Sequence, residues 1–433
     1  MEIINDIKAA LKNSLSYTEC LFRYTSKINL KSNFENLLLN TKNNLFYISY
    51  PNNITYIAID RCKEYILQSS IELINLKDIK YNLESYGEKK NNPLKIFGGC
   101  SFNIEKKGQD IWNDAPKALF FIPKFLITKN NNEYYISYHI FLDKSSNPEK
   151  INSEFNSFLN NLNNRYDLKD KTKLNIEKNI PDKKKYSNIF SNLSGLIKNN
   201  NIEKIVLSRM KKISINNKII LKKTSSTNFY IDLTKNKRFL GTTPELLVEV
   251  NDKKVKTSAI AGTLKKESTK TNLNEFLSDK KELSEHQYVV DDLTTKINSY
   301  CKKINTSKNP EILELEHLYH LYTSINGTLN QNTHILELAN MLHPTPAISG
   351  TPKNKTLNII EKNEPFDRGW YSGYIGWYDT NGEGRFDVAI RSGLQTHSHL
   401  YCYAGGGLVK ESEENDEWDE TELKFENLLL TIK

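Results

Sequence analysis

The spacing of apolar residues divides the chain into strand-like and helix-like stretches. Leu45-Phe46-Tyr47-Ile48-Ser49-Tyr50 and Ile54-Thr55-Tyr56-Ile57-Ala58-Ile59 are rich in β-branched and aromatic residues. Pro51-Asn52-Asn53 separates them, which predicts a hairpin. Residues 118–127 and 133–142 repeat the pattern, with 129–132 as the turn. Between these pairs lies Phe97-Gly98-Gly99-Cys100-Ser101-Phe102, a strand whose glycines mark a tight crossing with no room for side chains. Further on the period changes. Ile189, Leu193, Leu196 and Ile197 fall at helical spacing, predicting an amphipathic helix. Before that helix, residues 165–185 are charged, poor in apolar residues and turn-prone, which makes them the best candidate connector.

Beyond the helix, Glu203-Lys204-Ile205-Val206-Leu207-Ser208-Arg209 has strand composition. Alternation puts Ile205 and Leu207 on one face and Lys204, Val206 and Ser208 on the other. Pro244 fixes the backbone before Glu245, where a strand turns. Thr257-Ser258-Ala259-Ile260-Ala261-Gly262-Thr263 reads as a strand ending in a glycine turn. Residues 283–291 read as helix, and 342–352 as a loop stiffened by prolines.

The densest chemistry lies between Arg368 and Lys424. A glycine-punctuated strand is followed by a strand ending in Arg391, then by one running into Gly405, Gly406 and Gly407, then by an acidic helix. An arginine fork recognises a carboxylate bidentately. Successive glycine N–H groups can form a nest for an anion. Glu417 and Glu420 are three apart, so one helix face presents both, as a hard cation requires. This stretch therefore offers sites for an anionic small molecule and for magnesium.

Composition narrows the classes. A chain of 433 residues is long enough for a substantial core. Its net charge of +8 is spread over scattered lysines rather than clustered with stacking aromatics, which argues against nucleic acid as a partner. The five cysteines are widely spaced, odd in number and without a CxxC pair, as expected of reduced thiols in a cytoplasm. No charged-then-apolar leader and no membrane-length apolar run is evident, so a soluble cytoplasmic protein with no membrane partner is expected.

Four ordered motifs, R-G-x-Y-x-G-x-x-G from Arg368, V-A-I-R ending at Arg391, A-G-x-G-[IL]-V from Ala404 and E-W-x-E-T-x-x-K from Glu417, resemble those of the chorismate-utilising enzymes. That family comprises isochorismate synthases, salicylate synthases, anthranilate synthase large subunits and aminodeoxychorismate synthases. One departure is Gly406, where many relatives carry alanine; a looser loop is the expected effect. The resemblance is strong over residues 185–430 and weak over the first 180. It implies an α+β fold formed as one domain over residues 1–433: two antiparallel sheets packed face to face with helices outside. The 165–185 segment then becomes a surface connection.

The resemblance also implies roles. The K-[IV]-V-L-S-R lysine, Lys204, would activate water as general base, and the glutamate of G-x-[ST]-P-E, Glu245, would be general acid. Glu285, in E-H-x-x-V-V-D, and Glu420 would bind Mg²⁺ with Glu417 nearby. Gly262, Thr263, Tyr371, Arg391, Gly405, Gly406 and Gly407, with His343 of H-P-T-P-A, would contact substrate. His286, His317 and His320 read as structural. Ala261 stands where aminodeoxychorismate synthases carry a nucleophilic lysine, so water or ammonia must attack. The pattern is most like isochorismate synthase, with no obligate amidotransferase partner. A salicylate synthase would share these residues and add pyruvate elimination. An anthranilate synthase large subunit is opposed by Lys204 and by the missing L-L-E-S tryptophan motif.

Overall fold

The computed structural model describes residues 3–13, 19–30, 38, 44–162, 172–199, 201–266, 272–331 and 333–433. Two long strands, Ile54–Leu67 and Ala118–Asn130, pair antiparallel from Ile54↔Asn130 to Leu67↔Ala118. From the first, one sheet extends through Leu45–Ser49, Thr227–Thr234, Lys237–Thr243, Ser392–Gln395 and His399–Leu408 to Lys204–Ile215. From the second, another extends through Lys95–Cys100, Tyr374–Asp379, Gly384–Val388, Leu246–Asn251 and Lys254–Lys265 to Leu318–Leu329. Every one of these pairings is antiparallel. Cys20–Ile28 and Leu83–Gly87 form a parallel pair at the margin.

Strand alternation explains the layers. Phe46, Ile48, Phe229, Phe239 and Leu394 of the first sheet meet Phe97, Phe121 and Ile375 of the second in a core between the sheets. The intervening residues Leu45, Tyr230, Leu240 and Leu400 face outward, against Ile7, Phe155 and Phe425 of the helices Ile4–Asn13, Pro148–Asn161 and Glu414–Leu430. On the second sheet Val248, Val255 and Ile325 pack against Leu293 and Leu336 of Lys280–Asn298 and Ile335–Leu342. Each sheet is thus apolar on both faces. This is the expected α+β sandwich with helices outside, except that the two sheets are joined through the long strand pair.

The glycines of Lys95–Cys100 behave as expected. A Cβ on Gly98 would lie 2.0 Å from Leu119 O, and one on Gly99 2.2 Å from Tyr374 O. The connector differs from expectation. Residues 163–171 lie outside the described residues, but Leu174–Ile180 is a strand on the flank of Lys204–Ile215. Its charged residues are largely exposed there, which is why it read as loop. Asp182 then caps the helix Lys183–Lys198 by accepting from Lys185 N. Among the described residues, no helix is long and apolar enough to cross a membrane.

Candidate active site

Lys204 opens the strand Lys204–Ile215, and alternation turns Ile205 and Leu207 into the core under helix Lys183–Lys198, as expected. Lys204 itself is wholly buried. Its Nζ lies 3.0 Å from Glu285 Oε1, yet no acceptor meets hydrogen-bond geometry, so its donors are unsatisfied. Across the ladder, Gly405, Gly406 and Gly407 pair with Ser208, Leu207 and Val206. These glycines therefore form an extended strand and not the expected nest, because ladder pairing keeps their N–H groups from curling around an anion. Their value is space. A Cβ on Gly407 would fall 2.1 Å from Glu285 Oε1 and 2.9 Å from Lys204 Cε. On Gly406 it would meet Glu417 Oε2 at 2.9 Å, and on Gly405 Ser208 Oγ at 2.9 Å and the Tyr371 hydroxyl at 3.0 Å. Gly406 thus borders a carboxylate rather than loosening a loop.

Two helices supply the acidic groups. Lys280–Asn298, capped by Asp279, carries Glu282 and Glu285 one turn apart, and Glu414–Leu430 carries Glu417 and Glu420 likewise. Thr263 bridges the pairs: its N–H donates to Glu282 Oε2 at 2.8 Å and its hydroxyl to Glu420 Oε1 at 2.9 Å. That double reach depends on Gly262, which has a positive φ of 77° at a register shift between Ala261 and Thr263. Burial, followed by repulsion from neighbouring carboxylates, raises Glu282 and Glu417 above the usual range. Burial also works against the Glu420 anion, but Lys424 at 2.6 Å holds its pKa below normal. Glu417 accepts from Ser412 and Lys281 through Oε1, while its buried Oε2 has no partner.

Whether these residues suit a divalent cation can be tested on their chemistry. Among the described residues no three His, Cys, Asp or Glu side chains are arranged as a metal cage. Magnesium does not need one, since it usually takes one or two carboxylates and completes its octahedron with waters and substrate oxygens. Four neighbouring carboxylates, Glu285 and Glu417 buried and Glu282 and Glu420 half-buried, one with an orphaned oxygen, are a donor set that such an ion fits.

Glu245 lies between Lys237–Thr243 and Leu246–Asn251, held by its N–H to Thr243 Oγ1 and its carbonyl to Val388 N. Burial pushes its carboxyl up to about 7, against the pull of Lys204, Lys424 and Arg391. Arg391, with a positive φ of 47°, places a guanidinium N–H 2.5 Å from His320 Nε2. His320 Nδ1 lies 2.8 Å from Gly262 O, which can only accept, so Nδ1 carries the proton and Nε2 accepts from Arg391. Burial, reinforced by Arg391, pushes His320 down to about 3, so the ring is neutral. Arg391 is lowered by burial to about 10 and stays cationic near neutrality. Tyr371 stacks on Tyr403 with ring centroids 5.1 Å apart.

Glu245, Glu285, Arg391, Tyr371, Glu420 and Lys424 meet around one cavity of about 60 Å³, together with Gly262, Thr263, Gly405 and Gly407. Lys204, Gly406 and Glu417 do not line it; Lys204 reaches it through Glu285. His343 is not brought to it. Its ring sits edge-on to Phe102 and Tyr374, with Nε2 3.2 Å from Phe102 O, so its geometry is that of a packed core histidine. Sequence reasoning gave three of these residues no functional role. Glu282 was detectable three positions before Glu285, and Lys424 four after Glu420. His320, read as structural, lines the cavity because it pairs in register with Thr263, which only the strand pairing reveals.

A family profile described as "Chorismate binding enzyme" matches residues 7–433. Isochorismate synthase MenF of Bacillus subtilis is 28% identical over 351 residues, 78% of this chain and 74% of that protein. Among solved structures, the menaquinone-specific isochorismate synthase MenF of Escherichia coli superposes with a TM-score of 0.78 at 20% identity, covering 99% of this chain and 100% of the other. The putative 2,3-dihydroxybenzoate-specific isochorismate synthase DhbC of Bacillus anthracis gives 0.71 at 25% identity, over 92% and 98%. With the profile spanning nearly its whole length, the chain belongs to the chorismate binding enzyme family.

Proposed function

We propose that this protein is an isochorismate synthase, an isomerase that adds water at C2 of chorismate and expels the C4 hydroxyl. The observation that carries this reading is the buried carboxyl of Glu245, held near neutrality beside a cavity that a buried lysine adjoins. Such a carboxyl keeps a proton at the pH where an ordinary glutamate has lost it. Its function is to give that proton to the departing C4 oxygen. Lys204 takes a proton from the water entering at C2. One water enters and one leaves, so the product is an isomer of the substrate.

Arg391, oriented by His320, grips a substrate carboxylate with its remaining N–H groups, and Tyr371 offers a hydroxyl beside Gly405. Glu285 and Glu420, with Glu282 and Glu417 beside them, would hold Mg²⁺, which when bound neutralises the ring carboxylate and draws electrons toward it. Ala261 leaves no side-chain nucleophile at its position, which favours water as the attacking group. Relatives named isochorismate synthase support the reading. The expected partner is chorismate alone, in the cytoplasm, without an amidotransferase.

The test is direct. Purified protein is incubated with chorismate and Mg²⁺, without ammonia, and the products are separated by chromatography. Isochorismate is expected. Salicylate with pyruvate would reassign the chain to salicylate synthesis, and anthranilate formed only with ammonium would overturn water as the nucleophile.

A further inference from the structure

A second cavity, of about 170 Å³, shares no lining residue with the first. Its floor is one face of four paired strands, Ile54–Leu67, Ala118–Asn130, Glu133–Leu142 and Cys20–Ile28. The opposite face is ordinary core, with Phe22, Ile57, Ile127 and Ile136 buried. The cavity face is polar where a sandwich interior is normally apolar. Arg23 stands opposite His139, and Thr25 opposite Ser137, whose hydroxyls hydrogen-bond at 2.8 Å. Apolar packing does not explain this face.

The charge is one-sided. Arg23, Lys89 and Lys95 line the cavity beside His139, whose ring burial keeps neutral, and no aspartate or glutamate lines it. Arg23 spends its fork on backbone carbonyls, donating to Lys90 O at 2.8 Å, Asn92 O at 2.7 Å and Pro93 O at 3.3 Å. It thereby holds the loop that carries Lys89 to the rim without having its charge neutralised. Lys89 and Lys95 lie over aromatic rings, 3.5 Å from the Tyr135 centroid and 3.3 Å from that of Trp377. Among the described residues neither lysine makes an ion pair. Glu133 pairs with Lys27 at 2.7 Å and attracts Lys89 from a distance. Asp379, across the ladder from Lys95, accepts from the N–H groups of Asn381 and Glu383 through Oδ1 and keeps its charge, so it attracts Lys95 from outside the cavity lining. Burial lowers Lys95 to about 8, against the pull of Asp379 and Glu383.

We propose that this cavity is a binding site for a small organic dianion, a phosphate ester or a dicarboxylate, whose charge lies between Lys89 and Lys95. The lining holds three cationic side chains and no carboxylate, so a ligand of two negative charges would be the anion within the cavity itself. Binding is measured by calorimetric titration of the whole protein with inorganic phosphate and, separately, with succinate at matched ionic strength. At least one anion is expected to bind saturably and to raise Tm by roughly 3 °C near saturation. Lys89→Gln and Lys95→Met are each expected to weaken it tenfold or more, with turnover of chorismate unchanged. The tighter of the two anions identifies the charged group as tetrahedral or planar. No saturable binding of either, or equal binding by wild type and both variants, overturns the proposal. Lys89 is exposed, so Lys89→Gln folds even if Lys95→Met does not. Because the readout is binding, the outcome is independent of which chorismate reaction the other cavity performs.

Discussion

Lys204 Nζ and Glu285 Oε1 stand 3.0 Å apart with the lysine fully buried, so the proposed base and a proposed metal ligand share one contact. Removing one charge of such a pair leaves the other stranded, at a cost of roughly 3 kcal/mol. Glu285→Gln is therefore expected to lower the stability of the chelated protein by about that amount and to abolish activity. EDTA should silence the wild type and Mg²⁺ should restore it, while the variant stays inactive. Full turnover in thoroughly chelated wild type would remove the metal from the mechanism.

Glu245 sets a pH limit. Its carboxyl, raised to about 7 by burial, is protonated below that pH and ionised above it. A proton donor works only in its protonated form, so kcat/KM should fall about tenfold per unit as pH rises beyond 7. Glu245→Gln can still hydrogen-bond the leaving oxygen but cannot protonate it. The variant should lose roughly 10²- to 10⁴-fold in rate and should no longer show this alkaline limb. A limb that persists in the variant assigns it to another group.

Where local pattern determines structure, the sequence was legible. Alternation alone puts Lys204 on the face opposite Ile205, and paired glycines at 98 and 99 mark a crossing that the backbone distances bear out. What failed depended on pairing between distant segments. Gly405, Gly406 and Gly407 could equally be nest or strand until the ladder with Val206, Leu207 and Ser208 decided it. His320 became part of the cavity through its register with Thr263, 57 residues away. His343 had a suggestive proline-rich context, yet the packing of Phe102 and Tyr374 around it turned its ring aside.

Gly407 gives a steric test. Gly407→Ala puts a methyl group 2.1 Å from Glu285 Oε1, closer than real Cβ atoms approach. The backbone there is extended, so alanine suits the strand itself and folding should survive. Glu285, and Lys204 whose Cε lies 2.9 Å from the new methyl, must move instead, so activity should drop with Mg²⁺ dependence shifted to higher concentration. Wild-type Mg²⁺ dependence in a folded variant would mean that Glu285 is not a ligand.

His320 accepts one guanidinium N–H of Arg391, and a hydrogen bond to a charged group is worth about 1.5–3 kcal/mol. His320→Ala should therefore raise KM for chorismate roughly tenfold or more, because the guanidinium loses its fixed aim. The neutral ring does not titrate near pH 7, so the pH profile should keep its shape. A change in profile with KM unaltered would make His320 a proton carrier instead.

Lys204 gives the sharpest separation of binding from chemistry. It does not line the cavity and has no hydrogen-bond acceptor, whereas Arg391 and Lys424 do line the cavity. Lys204→Ala leaves those two cations in place, so chorismate should bind with an affinity within a few-fold of wild type. Without a base for the incoming water, kcat should fall by about 10²- to 10⁴-fold. Removing the lysine also leaves Glu285 without its partner, which could be mistaken for a metal effect. Saturating Mg²⁺ separates the two: a metal defect recovers with concentration, and a missing base does not. Affinity measured by titration and kcat by product formation, both at saturating Mg²⁺, decide the matter. Near wild-type kcat would leave Lys204 as the buried counter-charge of Glu285 and nothing more.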